Sequence, residues 1–83
     1  MTDAEMQEVD ATGLQCPMPL LMAKRALNAL SPGGRIRVLA TDSGSVRDFE
    51  VFAQQSGHRL LSSEIEGELY IHLLEKRQDS ANV

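Results

Sequence analysis

The sequence predicts a two-layer α/β fold in which two helices cover one face of a four-stranded mixed sheet. Three observations lead there. Two segments repeat apolar residues at helical spacing, and each ends at glycine or proline. Four other segments read as strands, giving the order β-α-β-α-β-β. Each helix has a single apolar stripe, so one sheet face suffices to bury both. At 83 residues the chain is expected to be one domain spanning 1–83, with an ordered core at about 7–76. A chain this short buries only about 60% of the surface its unfolded form exposes, so the core must be simple.

Taken in order, residues 1–6 and 77–83 carry no apolar pattern and are expected to fray. A first strand covers residues 7–11, and Thr12-Gly13 forms a turn. Leu14-Gln15 leads into Cys16-Pro17-Met18-Pro19, from which a helix runs to about Leu30. Leu20, Ala23, Leu27 and Leu30 form its apolar stripe, and Ser31-Pro32-Gly33-Gly34 stops it. Residues 35–41 alternate, with Ile36, Val38 and Ala40 on one side and Arg35, Arg37 and Thr41 on the other. Leu39 breaks the polar side of that strand. After the Asp42-Ser43-Gly44 loop, Ser45 to Asp48 has capping-box character. Val46, Phe49, Phe52 and Ala53 form a second stripe, and Gly57 ends this helix. Residues 58–66 and 68–76 read as an antiparallel hairpin joined at Gly67.

Composition excludes several classes of function. Eight basic against twelve acidic residues leave a net charge of −4, which argues against general binding to a phosphate backbone. Arg35, Arg37 and Arg59 are the candidates for any local basic patch. Phe49, Phe52 and Tyr70 are the only aromatics, too few for a base-stacking platform. One cysteine cannot make an internal disulfide, and no apolar stretch is long enough to span a bilayer. The polar, acidic opening residues resemble no signal or transit peptide, so a cytoplasmic location is expected.

That cysteine is the centre of the functional reading. Pro17 and Pro19 fall where a helix begins, a position at which proline costs little because first-turn N–H groups have no intrahelical partner. Proline also fixes φ and stiffens the approach to Cys16. A cysteine at a helix N-terminus meets the positive end of the macrodipole, which favours the reactive thiolate. A persulfide there would gain from the same field. A lone cysteine is more often an inert buried hydrophobe. The flanking prolines at a loop-to-helix junction reverse that preference and predict partial exposure.

On the helical wheel, Met18 and Met22 fall close to the face opposite the stripe, with Arg25 beside them and Leu21 and Lys24 on the flank. This predicts a flexible apolar docking patch bordered by positive charge; the plainer alternative is that the methionines pack under a loop. Asp42 ends a strand and Arg47 lies in the first turn of the second helix. Both are positioned to approach Cys16, and capping or solvation accounts for them equally well. His58 and His72 lack a cysteine or carboxylate at ligand spacing, so no metal site is expected.

The run Asp10-Ala11-Thr12-Gly13-Leu14-Gln15-Cys16-Pro17-Met18-Pro19 resembles the Cys-Pro-x-Pro signature of the TusA/SirA family of bacterial sulfur-carrier proteins. The likeness continues through Lys24, Ser31-Pro32-Gly33-Gly34, Thr41-Asp42, Arg47-Asp48, Gly57-His58 and the closing hairpin, from about residue 7 to residue 76. The resemblance implies the β-α-β-α-β-β fold and a relay role, sulfurtransferase-like and without cofactor. Cys16 would receive a persulfide sulfur from a pyridoxal-phosphate cysteine desulfurase and pass it to an acceptor protein. It further implies that Lys24 and Asp42 lie near a partner-facing surface. Routes served by such relatives include tRNA thiolation, molybdenum-cofactor maturation and sulfur oxidation. Two departures fall where partners are discriminated: Met18 replaces an acidic residue between the prolines, and Ser43 replaces a proline after Asp42.

The sequence leaves two competing readings. A thiol redox sensor would also use an activated cysteine, but normally with a neighbouring base or a second cysteine. An RNA-binding module is a fold analogy, since similar small α/β layers occur in the C-terminal domain of translation initiation factor three. The acidic charge counts against it. Neither nucleic acid nor membrane is expected as a direct partner, and a monomer is the simplest state for a carrier that docks twice.

Overall fold

The computed structural model describes residues 6–78, and most of the two ends expected to fray lie outside the described residues. Within it, Met6 already belongs to the first strand, and Arg77 is tied down by its amide to His58 Nδ1 at 3.1 Å and its guanidinium to the Ser56 carbonyl at 2.9 Å. The elements are β1 (Met6–Ala11), α1 (Met18–Asn28), β2 (Arg35–Ala40), α2 (Ser45–Ser56), β3 (Arg59–Glu66) and β4 (Leu69–Glu75). The sheet order is β1-β2-β4-β3. β1 and β2 are parallel, joined through α1, while β2–β4 and β3–β4 are antiparallel. The expected two-layer mixed sheet is what the chain forms.

One apolar cluster binds the layers. Ala23, Leu27 and Leu30 from the α1 segment, Phe49 and Phe52 from α2, and Ala11, Ile36, Val38 and Leu74 from the strands are all buried. The α1 stripe is turned slightly from the expected one. Pro19 is buried at its head while Leu20 is only half-buried, and Met22 and Ala26 pack partly against the core. Gly57 closes α2 in the left-handed conformation at φ 84°, and its N–H bonds the Ala53 carbonyl at 3.1 Å. The Ser31–Gly34 stop is fastened to the end of β4. The Lys76 ammonium donates to the Leu30 carbonyl at 2.6 Å, and Lys76 exchanges backbone bonds with Gly33 and Gly34.

The sheet face turned away from the helices explains the interruption at Leu39. In register, Leu39 stands opposite Ile71, and Leu73 stands beside Arg37. The Leu39–Ile71 pair and neighbouring Leu73 form an apolar strip on a face that also carries Arg37 and Glu64. A hollow of about 260 Å³ opens there between Met6, Arg37, Ser62, Glu64, Ile71 and Leu73. No helix among the described residues is long and apolar enough to cross a membrane.

Candidate functional site

The loop carrying Cys16 is assembled by short-range bonds. Asp10 accepts from the Thr12 amide at 3.0 Å and the Thr12 hydroxyl at 2.7 Å, turning the chain as it leaves β1. Gly13, at φ 81°, presents its N–H to Thr41 Oγ1 at 2.8 Å, which ties the turn to the end of β2. Pro17 stands at the N-cap of α1, and the Met18 amide bonds the Gln15 carbonyl at 2.9 Å. Among the described residues no side chain caps this helix, and no acidic residue lies in its first turn. Cys16 itself is half-buried, with a free thiol, just before the helix.

The second wall of the site comes from the β2–α2 junction. Asp42 Oδ2 accepts the Cys16 amide at 3.0 Å, fixing the loop from across the sheet end. The Asp42 carbonyl accepts the Ser45 amide at 3.0 Å and so starts α2. Gly44 lies against the sulfur: a Cβ placed there would stand 3.9 Å from Cys16 Sγ and 3.5 Å from Asp42 Oδ2. Asp42 and Asp48, the acidic residue in the first turn of α2, are the two carboxylates whose charge bears on the Cys16 thiol.

This environment corrects the expected thiolate. Burial, followed by the hydrogen bonds and negative charge of Asp42 and Asp48, pushes the Cys16 thiol up from its ordinary value of 9.0 to about 12. Two nearby carboxylates outweigh a helix N-terminus, whose influence is worth only about 0.3–1 kcal/mol at an exposed site. The thiol bond in turn holds the Asp42 carboxyl below the usual aspartate range, helped by the Cys16 amide. At neutral pH the resting sulfur is a thiol.

Other expected site residues are distributed unevenly. Met18 is 45% exposed beside the cysteine, and Leu21 is 48% exposed one turn along. Met22 is half-buried against the core, so Leu21, not Met22, continues the apolar patch. The reason is the rotated stripe: with Pro19 buried, position 21 moves to the outer face. Lys24 is exposed, its ammonium 5.8 Å from the centre of the Phe52 ring. Arg47 is exposed on α2. The capping box read at Ser45 is also corrected, for Gly44 is the N-cap and Ser45 lies inside the helix. The buried Ser45 hydroxyl is committed to His72 Nε2 at 2.8 Å, while His72 Nδ1 meets the Ser63 hydroxyl at 2.8 Å. His72 stacks on Phe49 with ring centres 4.6 Å apart, and its burial lowers its pKa. No group of three or more His, Cys, Asp or Glu among the described residues is arranged to hold a metal ion.

Comparison with known proteins fits this frame. The family model described as sulfurtransferase TusA matches residues 7–76. The chain belongs to the TusA family. It is 51% identical over 70 residues to the sulfur carrier protein TusA of Allochromatium vinosum, covering 84% of this chain and 92% of that one. It is 37% identical over 79 residues to the TusA of Pseudomonas aeruginosa, covering 95% of this chain and all of its relative. Among solved structures, the SirA-like protein of Desulfitobacterium hafniense superposes with a TM-score of 0.77 at 27% identity, covering 87% of this chain and 99% of that chain. Membership gives the Cys-Pro-Met-Pro loop a context that composition alone did not.

Asp48 is the site residue that sequence reasoning missed. It was legible as a helix-start residue and as part of the Arg47-Asp48 likeness, but nothing in its spacing from Cys16 marks an electrostatic influence on the thiol. Ser45 and His72 escaped for a similar reason. Serine at a helix start ordinarily caps, and a histidine in a strand carries no sign of its partners.

Proposed function

We propose that this TusA-family chain is a sulfur carrier that takes a persulfide sulfur onto Cys16 and hands it on to an acceptor protein. The observation that carries the reading is a single free cysteine, half-buried at a loop-to-helix junction and held there by its backbone rather than enclosed by the core. The names of its TusA relatives support it. The donor is a cysteine desulfurase, and the acceptor serves tRNA thiolation, molybdenum-cofactor maturation or a related route of sulfur metabolism. The chemistry takes place in the cytoplasm, on a one-domain monomer that needs no cofactor of its own.

Each handover is one thiol exchange. The Cys16 thiolate, its proton lost to solvent, attacks the outer sulfur of the donor persulfide. The bond from Cys16 Sγ to that sulfur forms, the S–S bond within the donor breaks, and the donor cysteine leaves as thiolate. No net oxidation occurs. In the second handover an acceptor thiolate attacks the same terminal sulfur, and Cys16 leaves. With no second cysteine in the chain, the persulfide cannot collapse to an internal disulfide. Met18, Leu21 and Lys24 form the surface that partners meet, and Asp42 holds the loop between them and α2.

Intact-mass spectrometry after incubation with a cysteine desulfurase and cysteine tests the reading. Wild-type protein should gain one sulfur, and Cys16→Ser should fold normally and gain none. Equal gain by the serine variant, or none by the wild type, sinks it. A peroxide-sensing role fits less well, because the chain has no second cysteine to resolve an oxidised Cys16.

A further inference from the structure

His72, on β4, is fully buried and takes no part in either handover. Both its ring nitrogens are engaged, Nε2 with the buried Ser45 hydroxyl and Nδ1 with the Ser63 hydroxyl of β3, each at 2.8 Å. The ring is stacked on Phe49 of α2, centres 4.6 Å apart, which fixes the direction of both bonds. Ser45 is where the chain enters α2, and its amide bonds the Asp42 carbonyl at 3.0 Å. The same Asp42 accepts the Cys16 amide on its carboxylate at 3.0 Å, and neighbouring Thr41 accepts the Gly13 amide at 2.8 Å. Gly44 lies so near the sulfur that a Cβ on it would stand 3.9 Å from Cys16 Sγ. A line of short bonds therefore runs from β3 and β4, through the β2–α2 junction, to the loop that carries the cysteine.

We propose that His72 is a positioning residue for sulfur transfer, holding the β2–α2 junction to the sheet so that Asp42 and Gly44 set where the Cys16 sulfur stands. In purpose this anchoring rests on the carrier reading, since only a transfer reaction needs the sulfur aligned. Residues 12–17 belong to neither helix nor strand, so their position is borrowed from what they are tied to. Alignment matters, because a misplacement of about 1 Å can cost about a hundredfold in rate. A buried imidazole suits the task. It is rigid and carries a polar atom on each of two edges, and a hydroxyl can donate to or accept from either one. One ring thus bridges Ser63 and Ser45, which an aliphatic side chain in its place could not do. His72 acts through Ser45 and Asp42.

Substitutions at His72 separate this role from packing. His72→Asn and His72→Gln both lose the stacking on Phe49, but an asparagine amide reaches only as far as Nδ1 and a glutamine amide as far as Nε2. Ser45→Ala, a milder change, removes the same bond from its other end. Lys76→Met removes the bond to the Leu30 carbonyl at the far end of the sheet and is the control for lost stability. Hydrogen–nitrogen correlation NMR follows the Cys16 amide proton, which its carboxylate acceptor holds downfield. Intact mass follows sulfur loading from a cysteine desulfurase, and circular dichroism confirms that each variant is folded. His72→Asn and Ser45→Ala should move the amide upfield and slow loading by about tenfold or more. His72→Gln and Lys76→Met should stay near wild type in both. Iodoacetamide needs access and no alignment, so its rate should not fall in any of them. A Cys16 amide unmoved in His72→Asn and Ser45→Ala, or moved equally in His72→Gln or Lys76→Met, overturns the proposal whether or not the chain loads sulfur. A displaced amide with unchanged loading overturns it too. Displacement confined to His72→Asn and Ser45→Ala, with no sulfur gained by wild-type protein, supports the anchoring and rejects the carrier reading.

Discussion

Consider what the loss of one buried hydroxyl does to the wall behind the cysteine. Ser45 is fully buried, and its Oγ meets His72 Nε2 at 2.8 Å. Ser45→Ala leaves that ring nitrogen buried without a partner, at a cost of about 1–3 kcal/mol. Alanine returns about 0.5 kcal/mol in helix propensity. The net loss is about 0.5–2.5 kcal/mol, which for a domain of this size lowers Tm by about 2–20 °C. Ser63→Ala removes the bond to the other ring nitrogen, but Ser63 is exposed and water can replace it. That change should cost under about 1 kcal/mol. Thermal melts followed by circular dichroism at pH 7.5 compare the two variants. Because Ser45 begins α2 next to Gly44, its loss should also quicken alkylation of Cys16. Equal melting temperatures for the two variants, or a Ser45→Ala protein as stable as wild type, would refute the assignment of an unreplaceable bond at Nε2.

Leu21→Glu should leave stability within about 0.5 kcal/mol and slow sulfur loading from a desulfurase, whereas Met22→Glu should destabilise by about 1–3 kcal/mol. Melts and loading rates measured side by side decide which residue faces the partner, and a harmless Met22→Glu would reject the observed stripe. The raised Cys16 thiol also makes an alkaline prediction. Its folded pKa, about 12, exceeds its ordinary 9.0, so its contribution is fully present below pH 9 and is lost as pH rises toward 12. Denaturant midpoints should fall between pH 9 and 11 more steeply for wild type than for Cys16→Ala, and parallel curves would contradict a raised thiol.

The fold was legible because its signals are local. Alternation in β2, the breakers at Ser31–Gly34, and Gly57 with its left-handed φ each announce an element from a few residues. The exact face of α1 was not. Leu20 fits a stripe by residue type, but Pro19 takes the buried place, because a proline in a first helical turn is apolar surface as well as a backbone device. One position of rotation then exchanges Met22 for Leu21 on the outside. At the site, the cysteine and its prolines were visible, since they are contiguous. The electrostatics were not, because the carboxylates come from residues 26 and 32 positions away in sequence and meet the sulfur only once β2 and α2 are in place.

That difference matters to how a carrier thiol should be judged. Helix position alone argues for a low pKa and a strong resting nucleophile, as it does for many catalytic cysteines. A carrier has another requirement, since it must remain unreacted between partners and then exchange twice at one atom. Burial and the charge of Asp42 and Asp48 push the empty Cys16 thiol up, so the resting sulfur is slow toward electrophiles. Cys16 is nucleophile in one step and leaving group in the next, and a raised thiol slows both, through the thiolate fraction in loading and through leaving-group basicity in release. A change that lowers the Cys16 pKa should therefore quicken loading and release together. Opposite responses of the two rates in Asp42→Asn, whose carboxylate holds the Cys16 amide, would refute this.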